Sequence, residues 1–281
     1  MNGANFGHDR RFTCGMIQNR GFVMNAPRTQ RIGRTFGAAA PHYEEHAGVQ
    51  RVVAATLANL LRHQPLPQAL DGRFPILEIG CGTGLLTRHL RSLFPAAEIV
   101  ATDISPEMIE VAQQGGDIGA RFLAMDGEAP DFDQPWFDLI TSSLAFQWFA
   151  DLPRALDRLY GLLRPGGSLM FATMARRSFH EWRIAHEKFG LEAGTPVYPS
   201  TEDLRTMLSR HADAFLFEEE YCHDFGGARG LLAHLKGIGA TVPVEGRAPL
   251  TVGQMRRVMR AYDKAGGQCT YHVAYCRVTR A

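Results

Sequence analysis

Glu78, Gly80, Gly82 and Gly84 stand in the stretch "LEIGCGTG", with Cys81 between the first two glycines. Glycines after an apolar run let the backbone turn tightly and approach a ligand, and a helix opening behind them offers unpaired amides. Nineteen residues after Gly84 comes Asp103, at the end of a second apolar run, where a carboxylate can accept both hydroxyls of a ribose. The pattern reads as a nucleoside site.

The spacing decides which nucleoside. A dinucleotide fingerprint, GxGxxG, leaves two residues between its second and third glycines so that a pyrophosphate can sit on the helix end. Here the pattern is GxGxG behind Glu78, and a carboxylate there suits a cationic amino-acid portion better than a diphosphate. The expected cofactor is S-adenosylmethionine. Ile104 and Met108 follow Asp103 as further binding residues, and Asp126, with Gly127 beside it in "MDGE", can accept a hydrogen bond from the adenine amino group. Ser143, Leu144 and Trp148, in "DLITSSLAFQWF", are expected near the sulfonium, with Gln147 lining the same cleft. A lone glycine turn is often only a turn, and an Asp after a strand often only a helix cap. Four such pieces in this order make those readings insufficient.

The elements that must position these residues alternate. Strands are expected at 75–80, 98–104, 121–126, 137–144 and 167–174, with helices at 84–94, 106–113 and 153–163. Short apolar strands separated by helices predict a doubly wound, mostly parallel seven-stranded sheet covered on both faces. A helix from about Val49 to Leu61 precedes the core. After Met174 the rhythm breaks, and two helical excursions, at about 175–212 and 227–266, flank a strand at 214–225 and end in a last strand at 270–278. They are expected to cap one end of the sheet. Residues 1–34 show no clear periodicity and read as an unstructured leader before a single domain at 35–281, with Met24 as an alternative start to Met1.

Composition excludes several classes. Of 281 residues, 45% are hydrophobic and 21% charged, which is ordinary for a globular chain with a large core. No apolar run reaches a membrane span and none resembles a signal peptide, so a cytoplasmic monomer is expected. Five cysteines without CxxC spacing suit reduced thiols, and no metal site is expected. Net charge is +1, divided as +3 over residues 1–50, −6 over 51–150 and +4 over 151–281, far from a nucleic-acid footprint.

The flanks are more specific than the core. "FGAAAPHYEEHAGVQR" (36–51), "SLAFQWFADLPRAL" (143–156), "LKGIGATVPVEGR" (235–247) and "TYHV" (270–273) resemble segments of the biotin-pathway malonyl-acyl carrier protein O-methyltransferases, the BioC family, over most of residues 35–281. The core by itself is similar to class I S-adenosylmethionine-dependent methyltransferases over roughly 70–175. The closer resemblance implies methyl transfer to the free carboxylate of a malonyl thioester on acyl carrier protein, or on coenzyme A. A carboxylate with a reference pKa of about 4 is ionised at neutral pH, so the site needs no general base.

The resemblance also bears on individual side chains. Lys236 lies in "HLKGIGATVPVEGR" (234–247), ahead of its glycines, so the stretch is not a phosphate-binding P-loop. On local grounds Lys236 complements the dipole at the end of a helix over 229–237, with Gly237 and Gly239 as caps. The resemblance adds a role facing the substrate. Arg176, Arg177 and Arg183 are rival carboxylate ligands, or part of a surface for an acidic carrier. Tyr43 is expected to orient the carboxylate or the methionine end. Tyr271 and His272 alternate along the last strand, so only one can face the cleft. The alternatives are a methyltransferase of a small free acid of the aconitate type and a non-enzymatic carrier-binding protein.

Overall fold

The computed structural model describes residues 26–64, 74–242, 244 and 247–281. Seven strands form one sheet: β1 (Pro75–Ile79), β2 (Glu98–Asp103), β3 (Ala120–Ala124), β4 (Phe137–Ser143), β5 (Leu163–Met174), β6 (Phe215–Asp224) and β7 (Gln268–Thr279). Their order is β3-β2-β1-β4-β5-β7-β6, with β7 antiparallel to both its neighbours and the other pairings parallel. The chain winds outward in both directions from the seam between β1 and β4. At such a switch point the strands' carboxyl ends leave a crevice.

Both faces of the central strands are covered, which is why β1 and β4 are buried along nearly their whole length and do not alternate. On one face Ile76 of β1 joins Val53, Leu57 and Leu61 of α3 (Gly48–Arg62) and Leu86 and Leu90 of α4 (Leu85–Leu93). On the other, Leu77 and Ile79 join Leu156 and Leu159 of α6 (Leu152–Gly161). The remaining helices before β6 are α1 (Ala26–Ala39), α2 (Tyr43–His46), α5 (Pro106–Gln114), α7 (His180–Glu187) and α8 (Thr201–Leu208), and α9 (Ala228–Gly237) and α10 (Val252–Lys264) follow it. Local chemistry sets their ends: Ser105 caps α5, and reciprocal Ser200–Asp203 and Thr251–Gln254 bonds start α8 and α10.

Two expectations change. The leader was expected through residue 34, yet α1 begins at Ala26; residues 1–25, with Met24 and Cys14, lie outside the described residues. α1 owes its place to packing. Ile32 and Phe36, one turn apart, face the crevice, and Gly37 lets the helix lie on α5, where a Cβ would meet the Glu107 carboxylate at 2.4 Å. Of the first excursion, only α7 joins the cap with α9 and α10, since Leu204 and Leu208 bind α8 to the sheet core. Among the described residues no helix is long and apolar enough to cross a membrane.

Candidate active site

The turn after β1 passes through left-handed backbone at Gly80 (φ +69), Gly82 (φ +54) and Gly84 (φ +88), conformations that L side chains rarely adopt. At Gly80 a Cβ would also meet the Ala145 Cβ at 2.3 Å, so the turn closes on the segment after β4. Its amides are not free donors. Cys81 N–H donates to the Thr102 carbonyl, Gly82 N–H to Asp103 Oδ2 and Gly84 N–H to the Cys81 carbonyl. The glycines therefore serve close approach rather than anion capture.

Asp103 accepts from Gly82 N–H and Ser105 N–H, each at 2.9 Å, which fixes its carboxylate at the rim of the crevice. Gly80, Gly82, Asp103, Ile104, Met108, Asp126, Gly127, Ser143, Leu144 and Trp148 all line one cavity there. Asp126 is held in place by Glu128 N–H at 2.9 Å. Glu78, Cys81 and Gly84 do not line that cavity. Glu78 points to the α4 side, takes a 2.7 Å bond from the Thr87 hydroxyl and is 1% exposed. Burial, with Asp103 nearby, pushes its pKa up to about 7, against the Thr87 bond. The Cys81 thiol is buried and its pKa is raised well above the ordinary thiol value, mainly by desolvation. Among the described residues no cluster of His, Cys, Asp or Glu is arranged to hold a metal.

Sequence reasoning missed the cavity's lid. Thr29, Ile32 and Phe36 of α1 close it, and the Phe36 ring meets Trp148 edge-on at 5.3 Å. The i, i+4 pair Ile32/Phe36 was the available signal. Behind α1, Glu44 ties α2 to the glycine turn, accepting from Thr83 Oγ1 at 2.9 Å and Arg88 at 2.7 Å. That anchorage sets Tyr43, whose pKa is raised by burial first and then by Asp103 and Glu44.

Tyr43, Phe36, Leu144 and Trp148 also line a second cavity of about 470 Å³. Leu144 holds φ +55 at this junction, and Phe179, also on the second wall, φ +58; non-glycine residues rarely carry such strain away from functional sites. The wall continues through Gln50, Gln147, Trp182, His186, Tyr198 and Tyr271, and across the cap through Leu232, Leu235, Arg247 and Met255. Of the alternating pair on β7, Tyr271 faces this cavity. Its hydroxyl meets His234 Nε2 at 2.7 Å, a histidine the sequence reading passed over.

Five expected substrate residues lie elsewhere. His272 turns to the other face, with Nε2 at 2.8 Å from Glu218, and Arg177 joins the same cluster through Glu220 at 2.5 Å. Arg176 is exposed and paired with Asp203, and Arg183 donates to the Ser178 and Arg176 carbonyls. Lys236 is exposed on α9 and lines neither cavity. β7 geometry explains His272, and the turn after β5 spends the arginines on local carbonyls and carboxylates. Arg247, at the end of the same quoted stretch, is the cation on the wall.

A family model described as a methyltransferase domain matches residues 76–167, the part of the chain that builds the first cavity. Phosphoethanolamine N-methyltransferase 2 of Haemonchus contortus, solved with S-adenosyl-L-methionine, has the same fold with a TM-score of 0.56 at 17% identity, covering 93% of this chain and 61% of that one. The biotin biosynthesis bifunctional protein BioCD of Bordetella avium is 44% identical over 87% of this chain, which spans about half of that relative (51%). A malonyl-acyl carrier protein O-methyltransferase of Magnetococcus marinus is 38% identical, over 94% of this chain and 97% of its own length. The chain belongs to the malonyl-acyl carrier protein O-methyltransferase family.

Proposed function

We propose that the protein transfers the methyl group of S-adenosylmethionine to the free carboxylate of a malonyl thioester on acyl carrier protein, giving a methyl ester and S-adenosylhomocysteine. This is the reaction that masks a charge so that the chain can be extended early in biotin synthesis. One observation carries the reading: the cofactor cavity adjoins a second, mostly apolar cavity, and Phe36, Tyr43, Leu144 and Trp148 line both. A carboxylate held at that shared wall would be placed beside the cofactor cavity, where bound S-adenosylmethionine would supply the methyl group.

The chemistry asks little of the protein beyond placement. The acceptor is already ionised, so no base is needed, and positioning reacting groups closely supplies most of the acceleration. Tyr43, its pKa raised, stays protonated and can donate to a carboxylate oxygen without neutralising it. The aromatic wall excludes water, which would otherwise solvate the nucleophile. A tricarboxylate substrate fits less well, because Arg247 is the one Lys or Arg among the residues that line the second cavity.

The direct test is transfer of radiolabelled methyl to malonyl-carrier, with acetyl-carrier and free malonate alongside. Base-labile label on malonyl-carrier alone is the expected result. Label on free malonate at equal rate would return the small-acid reading.

A further inference from the structure

Arg247 lies in the loop between α9 and α10, half-buried, with Ala248 and Pro249 exposed beside it. The residues that line the large cavity include no Asp or Glu, and no ion pair is recorded between Arg247 and any described carboxylate. Its guanidinium is nonetheless held: Nη2 donates to the Glu192 carbonyl at 2.5 Å, and Nη1 packs on Gly194, where a Cβ would come within 2.4 Å. A positioned, unneutralised cation on an otherwise mostly apolar wall calls for an anionic ligand.

That anion is not the reacting carboxylate. The residues bordering both cavities are Phe36, Tyr43, Leu144 and Trp148, and Arg247 touches none of them in any recorded contact. Its neighbours are Glu192, Gly194 and His186, the last in the final turn of α7. A guanidinium gripping the attacking carboxylate would also withdraw the lone pairs that must reach the methyl group. The thioester substrate carries a second anion, however, at the far end of its pantetheine arm.

We propose that Arg247 binds the phosphate that ends the pantetheine arm, with the reacting carboxylate at Tyr43 on another part of the same cavity wall. This rests on the malonyl-thioester reading above. Arginine suits phosphate because its planar fork engages oxygens in pairs. The contact is remote from the reacting atoms and acts on binding, so it lowers KM rather than raising kcat.

The test compares malonyl-pantetheine, which lacks the phosphate, with malonyl-phosphopantetheine, malonyl-coenzyme A and malonyl-carrier, in wild type and Arg247→Gln. In wild type, KM should fall about tenfold or more when the phosphate is present. Arg247→Gln should raise KM about tenfold for the phosphorylated arms only, with kcat kept, and Arg247→Lys should recover part of it. Equal gain on carrier and coenzyme A identifies the arm phosphate itself. A gain on carrier alone moves the contact to the carrier's surface and overturns the proposal. So does a KM rise on malonyl-pantetheine, a loss of kcat on every substrate, or no change at all. Should no malonyl thioester be methylated while cofactor still binds, the parent reading fails instead.

Discussion

The Tyr271 hydroxyl lies 2.7 Å from His234 Nε2, a hydrogen bond that joins the cavity wall on β7 to α9. His234 is 6% exposed and stacked on Phe225 at 4.2 Å; burial first, then His46 and His223, pushes its pKa from 6.5 down to about 4. The ring is therefore neutral at physiological pH, and the bond it shares with the Tyr271 hydroxyl is one between neutral groups.

A consequence for stability follows from the lowered pKa. Between pH 6.5 and about 4 the unfolded chain protonates this histidine before the folded one does, so the folded state loses stability as pH falls through that window. The contribution is about 1–3 kcal/mol. His234→Leu should be less stable than wild type at pH 7.5 by about 1–3 kcal/mol, because the Tyr271 hydroxyl loses its hydrogen-bond partner. The gap should narrow at pH 5. Denaturant melts at both pH values decide it; parallel losses would show that His234 does not stay neutral.

Glu78 has the opposite sign. Its pKa rises from 4.5 to about 7, so the unfolded chain ionises first and stability falls as pH rises across that interval. Glu78→Gln should remove this fall. A cationic sulfonium and ammonium near the site favour the carboxylate, so cofactor binding at pH 7 should release a fraction of a proton in wild type and none in Glu78→Gln. Calorimetry in buffers of different ionisation enthalpy measures it. Proton uptake would mean that added burial outweighs the cation's charge.

The fold was legible because strand apolarity and helix spacing repeat over many residues, and the cofactor loop because only glycine tolerates φ +69, +54 and +88 in sequence. α1 was less so: its apolar face is little more than Ile32 and Phe36, and its glycines make sense only once α5 lies beneath them. Substrate contacts were least legible, since they depend on which face of β7 or α9 meets the cleft. Tyr271 and His272 are adjacent in sequence yet serve different clusters, and Lys236, singled out in the sequence, lines neither cavity whereas Arg247, which was not, lines the second.

The glycines after Lys236 do their work by close packing. Gly239 has φ +73, and a Cβ there would come within 2.6 Å of the Thr35 carbonyl; one at Gly237 would overlap the His46 ring at 2.2 Å. These contacts seat α9 against the α1–α2 segment that carries Phe36 and Tyr43. Gly239→Ala should cost about 1–3 kcal/mol and weaken S-adenosylhomocysteine binding, whereas Lys236→Ala should leave stability within about 0.5 kcal/mol and KM within about twofold. Melts and titration calorimetry distinguish them. A large KM rise in Lys236→Ala would restore it to the substrate site.

Tyr43 is the sharpest test of the reaction centre. Its ring borders both cavities, and no hydrogen bond is recorded from its hydroxyl to another described residue. Burial keeps the hydroxyl protonated across the physiological range, so it offers a donor with no partner until substrate arrives. Tyr43→Phe removes that donor alone. Loss of a donor that acts on the reacting group costs about 10²–10³-fold in kcat where charge develops in the transition state. Here the carboxylate loses charge as it reacts, so the hydroxyl contributes by orienting it and not by stabilising new charge, and the expected loss is smaller, about tenfold. Cofactor affinity should stay within about twofold of wild type, because the Asp103 and glycine-turn contacts are untouched. Single-turnover transfer from bound S-adenosylmethionine to malonyl-carrier reads kcat apart from binding. A fall in cofactor affinity with kcat preserved would assign the hydroxyl to the methionine end of the cofactor instead.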